Sequence, residues 1–320
     1  MTDLKEWITF EDQLELLKRR GLHVDDDAAA LGYLRRIGYY RLSGYWYPLR
    51  EIDHAASTKA GRPLRLDTFV PGSRFEDVVR LYVFDKKLRL LALDALERIE
   101  LAARVDVAYL LGRHDACAHE NTACLHGNFS RRAIKSGRDR GRTRHEVWLE
   151  KYQSLLHRSR KLPFVEHHQA KYGGRLPIWV AIELWDFGLL SHLLSGLRYE
   201  DQQAIAARYG AESGEAFAGW FRSLNFIRNV SAHHSRMWNT NVLELCPVPS
   251  GWPEVPNERP FLYFCLMQQM LRIICPNSTW GQRFVNLLVE DFPELPEGSA
   301  SLEDMGLRPG WNEWGLWRRK

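Results

Sequence analysis

A chain of 320 residues that is 45% hydrophobic holds enough apolar mass for one large or two modest domains with a real core. Its 44 Lys and Arg against 40 Asp and Glu leave a formal charge of +4, too weak a bias to indicate nucleic acid unless the basic residues cluster locally. Five scattered cysteines, an odd number, suit a reducing cytoplasm and exclude a disulfide framework.

The first residues lack the basic start and apolar run of a signal peptide, and no membrane-length stretch is free of charge, so a cytoplasmic chain without membrane association is expected. Helical spacing begins at once. Phe10, Leu14, Leu16 and Leu17 mark one amphipathic helix over 10–20, and Ala30, Leu31, Leu34 and Ile37 mark another over 27–37. With the aromatic stretch 37–47 they make an N-terminal helical cap over 1–50. That stretch reads as a packed corner, although Arg41 among its tyrosines leaves an RNA contact open. A polar connecting loop, punctuated by Gly and Pro, spans 51–74. The longest helix follows over about 75–111, where Leu81, Phe84, Leu88, Leu91, Ala95, Ile99 and Ala102 recur at helical spacing. Its pairs Asp85/Arg89 and Glu100/Arg104 read as surface ion pairs, with Glu100 and Arg104 the second-helix candidates to support a site.

His114, Cys117, His119, Cys124 and His126 lie close together but match no closed zinc spacing, so a surface loop is expected there rather than a metal. Residues 131–144 carry seven basic side chains (Arg131, Arg132, Lys135, Arg138, Arg140, Arg142, Arg144) against the single acid Asp139. No apolar pattern runs through them. A mobile basic insert touching RNA phosphates is the expectation. Helical spacing resumes at 147–156, 164–172 and 177–190, the last of these placing Glu183 in an apolar stretch where a motif arginine would have to partner it. A buried helix opens a last long one over about 261–289, and 291–320 form a C-terminal tail. No strand-rich segment appears. The fold class is all-α, a helical bundle over 75–290 with an N-terminal helical extension.

The residues that carry chemistry sit at Arg228-Asn229-Val230-Ser231-Ala232-His233-His234, with Arg236 and Asn239 just beyond. Arginine offers a planar, permanently charged fork for phosphate oxygens, and histidine moves protons near neutral pH. If 218–237 is one helix, Arg222, Asn225, Asn229, His233 and Arg236 share one face, with Arg228 at its edge and His234 further round. One straight helix then fails to bring Arg228 and both imidazoles to one phosphate. Either the helix breaks inside the motif or a two-fold axis supplies a second copy.

Together these segments make the chain resemble the Abi-like abortive-infection proteins of bacteria, the AbiD/AbiF group of the HEPN superfamily. The resemblance rests on Gly38-Tyr39-Tyr40-Arg41-Leu42-Ser43-Gly44-Tyr45, on Leu81-Tyr82-Val83-Phe84-Asp85-Lys86-Lys87-Leu88-Arg89, and on Pro177-Ile178-Trp179 through Glu183 and Phe187-Gly188. The motif itself and Trp238-Asn239 complete it in order. It implies a HEPN helical core, usually dimeric, whose Arg-x4–6-His motif is a metal-independent ribonuclease site. Arg228 and His233 fill that motif, Asn229 follows the arginine, and His234 is a second imidazole. Asn225, Arg236, Asn239, Glu183, Glu100 and Arg104 are supporting candidates.

On this reading the protein is a toxin that cuts RNA by 2′-hydroxyl attack, as a homodimer, restrained by an antitoxin RNA or protein. No cofactor is called for. The alternative is a non-catalytic HEPN-fold scaffold that binds RNA or another protein.

Overall fold

Short polar residues start the helices where the apolar spacing places them. In the computed structural model, which describes residues 6–61 and 63–318, the Thr9 hydroxyl accepts the Asp12 N–H at the head of α1 (Phe10–Arg19). Asp26 accepts the Ala29 N–H at the head of α2 (Asp27–Ile37). Gly38, at φ +91°, makes the corner into α3 (Tyr39–Trp46), a conformation that side-chain-bearing residues rarely adopt. Because α3 buries Leu42, Tyr45 and Trp46, the aromatic corner is packed, as its sequence predicts.

The stretch 51–74 has more structure than the expected loop. β1 (Arg50–Ile52) and β2 (Arg65–Phe69) pair antiparallel, with α4 (His54–Ala60) between them, capped by Asp53. Strands this short give a period of two no room to show in the sequence. α5 (Phe75–Gly112) follows, the long helix that the sequence predicts.

The chain divides into two compact units, the first formed by residues 1–91, 234–240 and 281–320 and the second by 92–233 and 241–280. The first unit packs Leu42, Trp46, Leu81, Phe84 and Leu88 into its core. Phe84 meets Phe292 edge-on at 5.1 Å, and Phe284 stacks on Trp317 at 4.8 Å. Met305 and Leu307 are buried too, so the C-terminal segment is a packed part of this unit.

The second unit holds α6 (Gly127–Ser130), α7 (Arg144–Arg158), α8 (Pro163–Tyr172), α9 (Ile178–Ala181), α10 (Phe187–Leu194), α11 (Tyr199–Arg208), α12 (Gly214–Ala232) and α13 (Pro260–Ile274). α12 packs on α10, α11 and α13. Phe217 and Phe221 lie 5.0 Å apart, Phe221 stacks on Phe187 at 5.2 Å, and Tyr209 stacks on Phe217 at 4.9 Å. Two predicted helices are each broken in two. The run 177–190 stops after a 3-10 turn at Ile182–Leu184, and Asp186 restarts it by accepting the Leu189 N–H at 2.7 Å. The run 261–289 splits into α13 and α14 (Trp280–Glu290), because Pro276 drives Cys275 out of helical geometry to φ −139°, ψ 67°. None of the described helices is long and apolar enough to cross a membrane.

The His114–His126 cluster is not the expected surface loop. His119 is fully buried, edge-on to Tyr152 at 5.1 Å and near Trp148 and Trp185. His114 pairs with Asp201 at 3.0 Å, and His126 reaches the Ser195 carbonyl at 2.8 Å. Burial, with Arg175 and His145 adding to it, pushes the His119 imidazole down to about 3, and burial lowers His145 as well. A histidine held neutral in the folded state stabilises fully above its unfolded value of about 6.5, and that contribution is lost as pH falls toward 3. Each pH unit below 6.5 is expected to remove about 1.4 kcal/mol. Urea unfolding between pH 7 and pH 5 checks this: the wild type should lose about 2 kcal/mol that His119→Phe keeps, and equal slopes for the two would sink it.

Candidate active site

α12 begins where Ser213 accepts the Ala216 N–H, and it buries Phe217, Phe221 and Leu224 along one row. Arg228 continues that row, so its guanidinium leaves the helix on the apolar side and is half-buried. A charge in that position needs a counter-charge. The Glu100 carboxylate of α5 acts on it from beyond ion-pair distance: burial raises the Glu100 carboxyl, and Arg104, with Arg228 contributing less, pulls it back, with Asp186 adding to the rise. Arg228 also reaches the Asn229 side-chain oxygen at 3.4 Å.

Arg104 is shared between two tasks. It pairs with Glu100 one turn away, and it donates to the Trp185 carbonyl, which the break between α9 and α10 leaves without a helical partner. Glu183 stands 3.9 Å from Arg104 and is 57% exposed, so the expectation of a buried carboxylate partnered by a motif arginine is corrected. The 3-10 turn rotates it out of the apolar row. Asn225 lies against α10, where a Cβ on Gly188 would come within 3.8 Å of its side-chain oxygen and 3.2 Å of Asp186.

α12 ends at Ala232 and not at 237, so the single straight helix assumed from the spacing does not exist. The His233 N–H closes the last turn on the Asn229 carbonyl at 2.9 Å. Its side chain is exposed. His234 then takes φ +57°, the one positive φ on a non-glycine among the described residues. That position after a helix normally belongs to glycine, and a side chain there costs about 1–3 kcal/mol. Strain of this kind, retained by a histidine, concentrates at functional sites.

From His234 to Thr240 the chain is part of the first unit, and that unit holds it firmly. Arg41 donates to the His234 carbonyl at 2.5 Å, and Arg236 donates to the Gly44 carbonyl. A Cβ on Gly44 would sit 2.9 Å from the Arg236 nitrogen, so a larger residue there would make the guanidinium shift. The Met237 and Trp238 N–H groups donate to one oxygen of Asp85 at 2.9 and 2.7 Å, while Tyr45 donates to the other at 2.7 Å beside Arg89. Burial pushes Asp85 up, and Arg89, Tyr45 and the two backbone donors pull it down. Asp85 and Arg89 are therefore a buried clamp, not a surface pair. Arg41 and Arg236 are spent on backbone carbonyls of this unit, and Asn239 is half-buried there.

The basic stretch is a closed turn instead of a mobile arm. Ile134 N–H donates to the Arg142 carbonyl at 2.8 Å, Gly141 N–H returns to the Ile134 carbonyl at 3.0 Å, and Gly137 and Gly141 adopt positive φ. Thr143 and Glu146 form a capping box that starts α7 straight from the turn. Arg142 is paired with Asp139 and Glu150, whereas Arg131, Arg132, Lys135, Arg138, Arg140 and Arg144 are exposed.

The structure thus gathers Arg228, Asn229, Glu100 and Arg104, with Glu183 at the margin, and puts Arg41 and Arg236 to other work. Asp186 was missed in the sequence, and Asp85 was read there only as half of a surface ion pair. Asp85 had a signal, since it occupies the buried row Leu81, Phe84, Leu88, where an acid is costly and demands several donors. Among the described residues no group of His, Cys, Asp or Glu is placed to hold a metal. The family model described as Abi-like protein matches residues 32–239, from α2 through the motif. No curated protein and no solved structure matches the chain.

Proposed function

The chain belongs to the Abi-like protein family, and on that premise we propose that it is a cytoplasmic endoribonuclease toxin of abortive infection against phage. The observation that carries the reading is the end of α12. A half-buried arginine, within electrostatic range of a carboxylate on a second helix, stands five residues before a helix-terminating histidine with an open side chain.

In this chemistry Arg228 stabilises charge growing on the phosphate oxygens, with the Asn229 side chain in contact with it and the Glu100 carboxylate in its field. An imidazole of the His233–His234 pair removes the proton from a ribose 2′-hydroxyl, whose oxygen attacks the adjacent phosphorus. A second imidazole protonates the departing 5′-oxygen. The products are a 2′,3′-cyclic phosphate and a free 5′-hydroxyl. DNA lacks the attacking group and is spared.

A two-fold homodimer is part of the proposal. Leu101, Val105 and Tyr109, at 49, 66 and 72% exposure, line one face of α5 at four-residue spacing, an apolar stripe suited to a second copy. An antitoxin RNA or protein would restrain such an enzyme, and the exposed basic turn offers RNA phosphates a contact.

The test is incubation of purified protein with total cellular RNA in EDTA, followed by mapping of the new ends. Cleavage that persists in EDTA and leaves cyclic phosphates is the expected result. RNA retained on the protein but never cut points instead to the non-catalytic binding scaffold.

A further inference from the structure

Within the second unit a groove of about 1110 Å³ opens between the basic turn, α7, α10 and α12. Arg138, Arg144, Lys151, Arg158 and Arg222 line it, and among the described residues none of them has a carboxylate within ion-pair distance. Arg142, in the same wall, is neutralised by Asp139 and Glu150. Five uncompensated cations around one cleft repel each other and concentrate a positive field, which a polyanion relieves. The remaining wall mixes apolar Ile134, Val147, Leu155 and Leu189 with Ser154, Ser195 and the carboxylate of Asp186. His192 faces this space, and Arg222 donates to the Ser195 hydroxyl at 3.3 Å across its floor. Desolvation by the surrounding cleft lowers the His192 imidazole from its ordinary value, with Lys151, Arg144 and Arg222 also lowering it and Asp186 opposing.

The groove and the motif share one helix. Arg222 and Arg228 are on α12, six residues or about 9 Å apart along the axis and about 120° apart around it. Asp186, which lines the groove, acts electrostatically on both His192 and Glu100, and Glu100 in turn on Arg228. That separation is spanned by about three nucleotides at the stacked spacing of about 3.4 Å per strand. A volume above the ~300–1,000 Å³ of small-molecule pockets suits a strand better than a mononucleotide.

We propose that this groove holds the single-stranded RNA flanking the cut, its phosphates on Lys151, Arg144 and Arg222 and its sugar edge against His192. The inference deepens the ribonuclease reading and rests on it for the place of the cut. It is tested by binding in Arg228→Ala protein, which does not consume the probe. The probe is a fluorescein-labelled, mixed-sequence single-stranded RNA of about a dozen nucleotides, titrated over a salt series. Adding Lys151→Gln with Arg222→Gln should raise Kd about tenfold and lower the salt slope by about 1.4, at about 0.7 per lost phosphate contact. If the double variant melts early, the single variants should each lower the slope by about 0.7. An unchanged Kd and slope overturns the groove even if the wild type cuts RNA. Equal competition by inorganic phosphate or a mononucleotide also overturns it, in favour of a small-ligand pocket. RNA bound in the groove by a wild type that never cuts would leave the groove standing and remove the nuclease reading.

Discussion

Arg228→Ala and His233→Ala each leave a folded protein that no longer cuts RNA at a useful rate. Losing a pre-aimed guanidinium costs about 10²–10³-fold in turnover, and losing a general base or acid costs about 10²–10⁴-fold. Neither side chain is part of the hydrophobic core, because His233 is exposed and Arg228 is half-buried at the end of its row. Unfolding midpoints should therefore shift little while single-turnover cleavage collapses. Full activity in either variant would sink the assignment. Mixing the two variants extends the test: if the working site takes its arginine from one copy and its histidine from the other, mixed dimers recover part of the activity that neither parent has. A wild type that sediments as a monomer and still cuts would show that one copy of the motif suffices, since the helix already ends within it.

Asp85→Ala is expected to be the most damaging single change to stability. The substitution strands the Arg89 guanidinium, the Tyr45 hydroxyl and the Met237 and Trp238 N–H groups in a site from which water is excluded. Removing one partner of such a buried, hydrogen-bonded charge costs about 3–5 kcal/mol, a large share of the total stability of an ordinary domain. Denaturant unfolding measures it directly. A loss below about 1 kcal/mol would mean that the four donors find other acceptors. The segment released is the one that follows the motif, so cleavage should fall together with stability.

Much of this was legible from the residues because helical spacing and caps are local signals. The long α5, the buried α13 and the packed corner of α3 all follow from where the apolar side chains recur. What was misread depends on interactions distant in sequence. Asp85 and Arg89 look like an ordinary surface pair until Tyr45 and the backbone at 237–238 close over them. Glu183 looks buried until the 3-10 turn rotates it outward. The end of α12 was misplaced because nothing in Ala232-His233-His234-Ser235 is a conventional stop: the terminating residue is a histidine in a conformation normally left to glycine. In the basic turn, charge dominated the composition and masked Gly137 and Gly141, which let the chain fold back on itself. Of the candidate site, the arginine, asparagine and first histidine were visible as a motif, whereas the placement of Glu100 within electrostatic range of Arg228 became visible only in the fold.

The division of the chain into two units also bears on when a ribosome can deliver an active molecule. Residues 281–320 pack into the same unit as residues 1–91, through Lys87 with Asp291, Arg65 with the Ser299 carbonyl, and Phe84 against Phe292. Asp85 and the segment it clamps belong to that same unit. During synthesis at about 5–20 residues per second, the motif therefore leaves the ribosome while the unit that fastens its downstream arm is still unfinished. A nascent chain stalled or cut short before residue 281 carries Arg228 and His233 without that support. Folding of this order leaves the arm that follows the motif unfastened until residues 281–320 have been made.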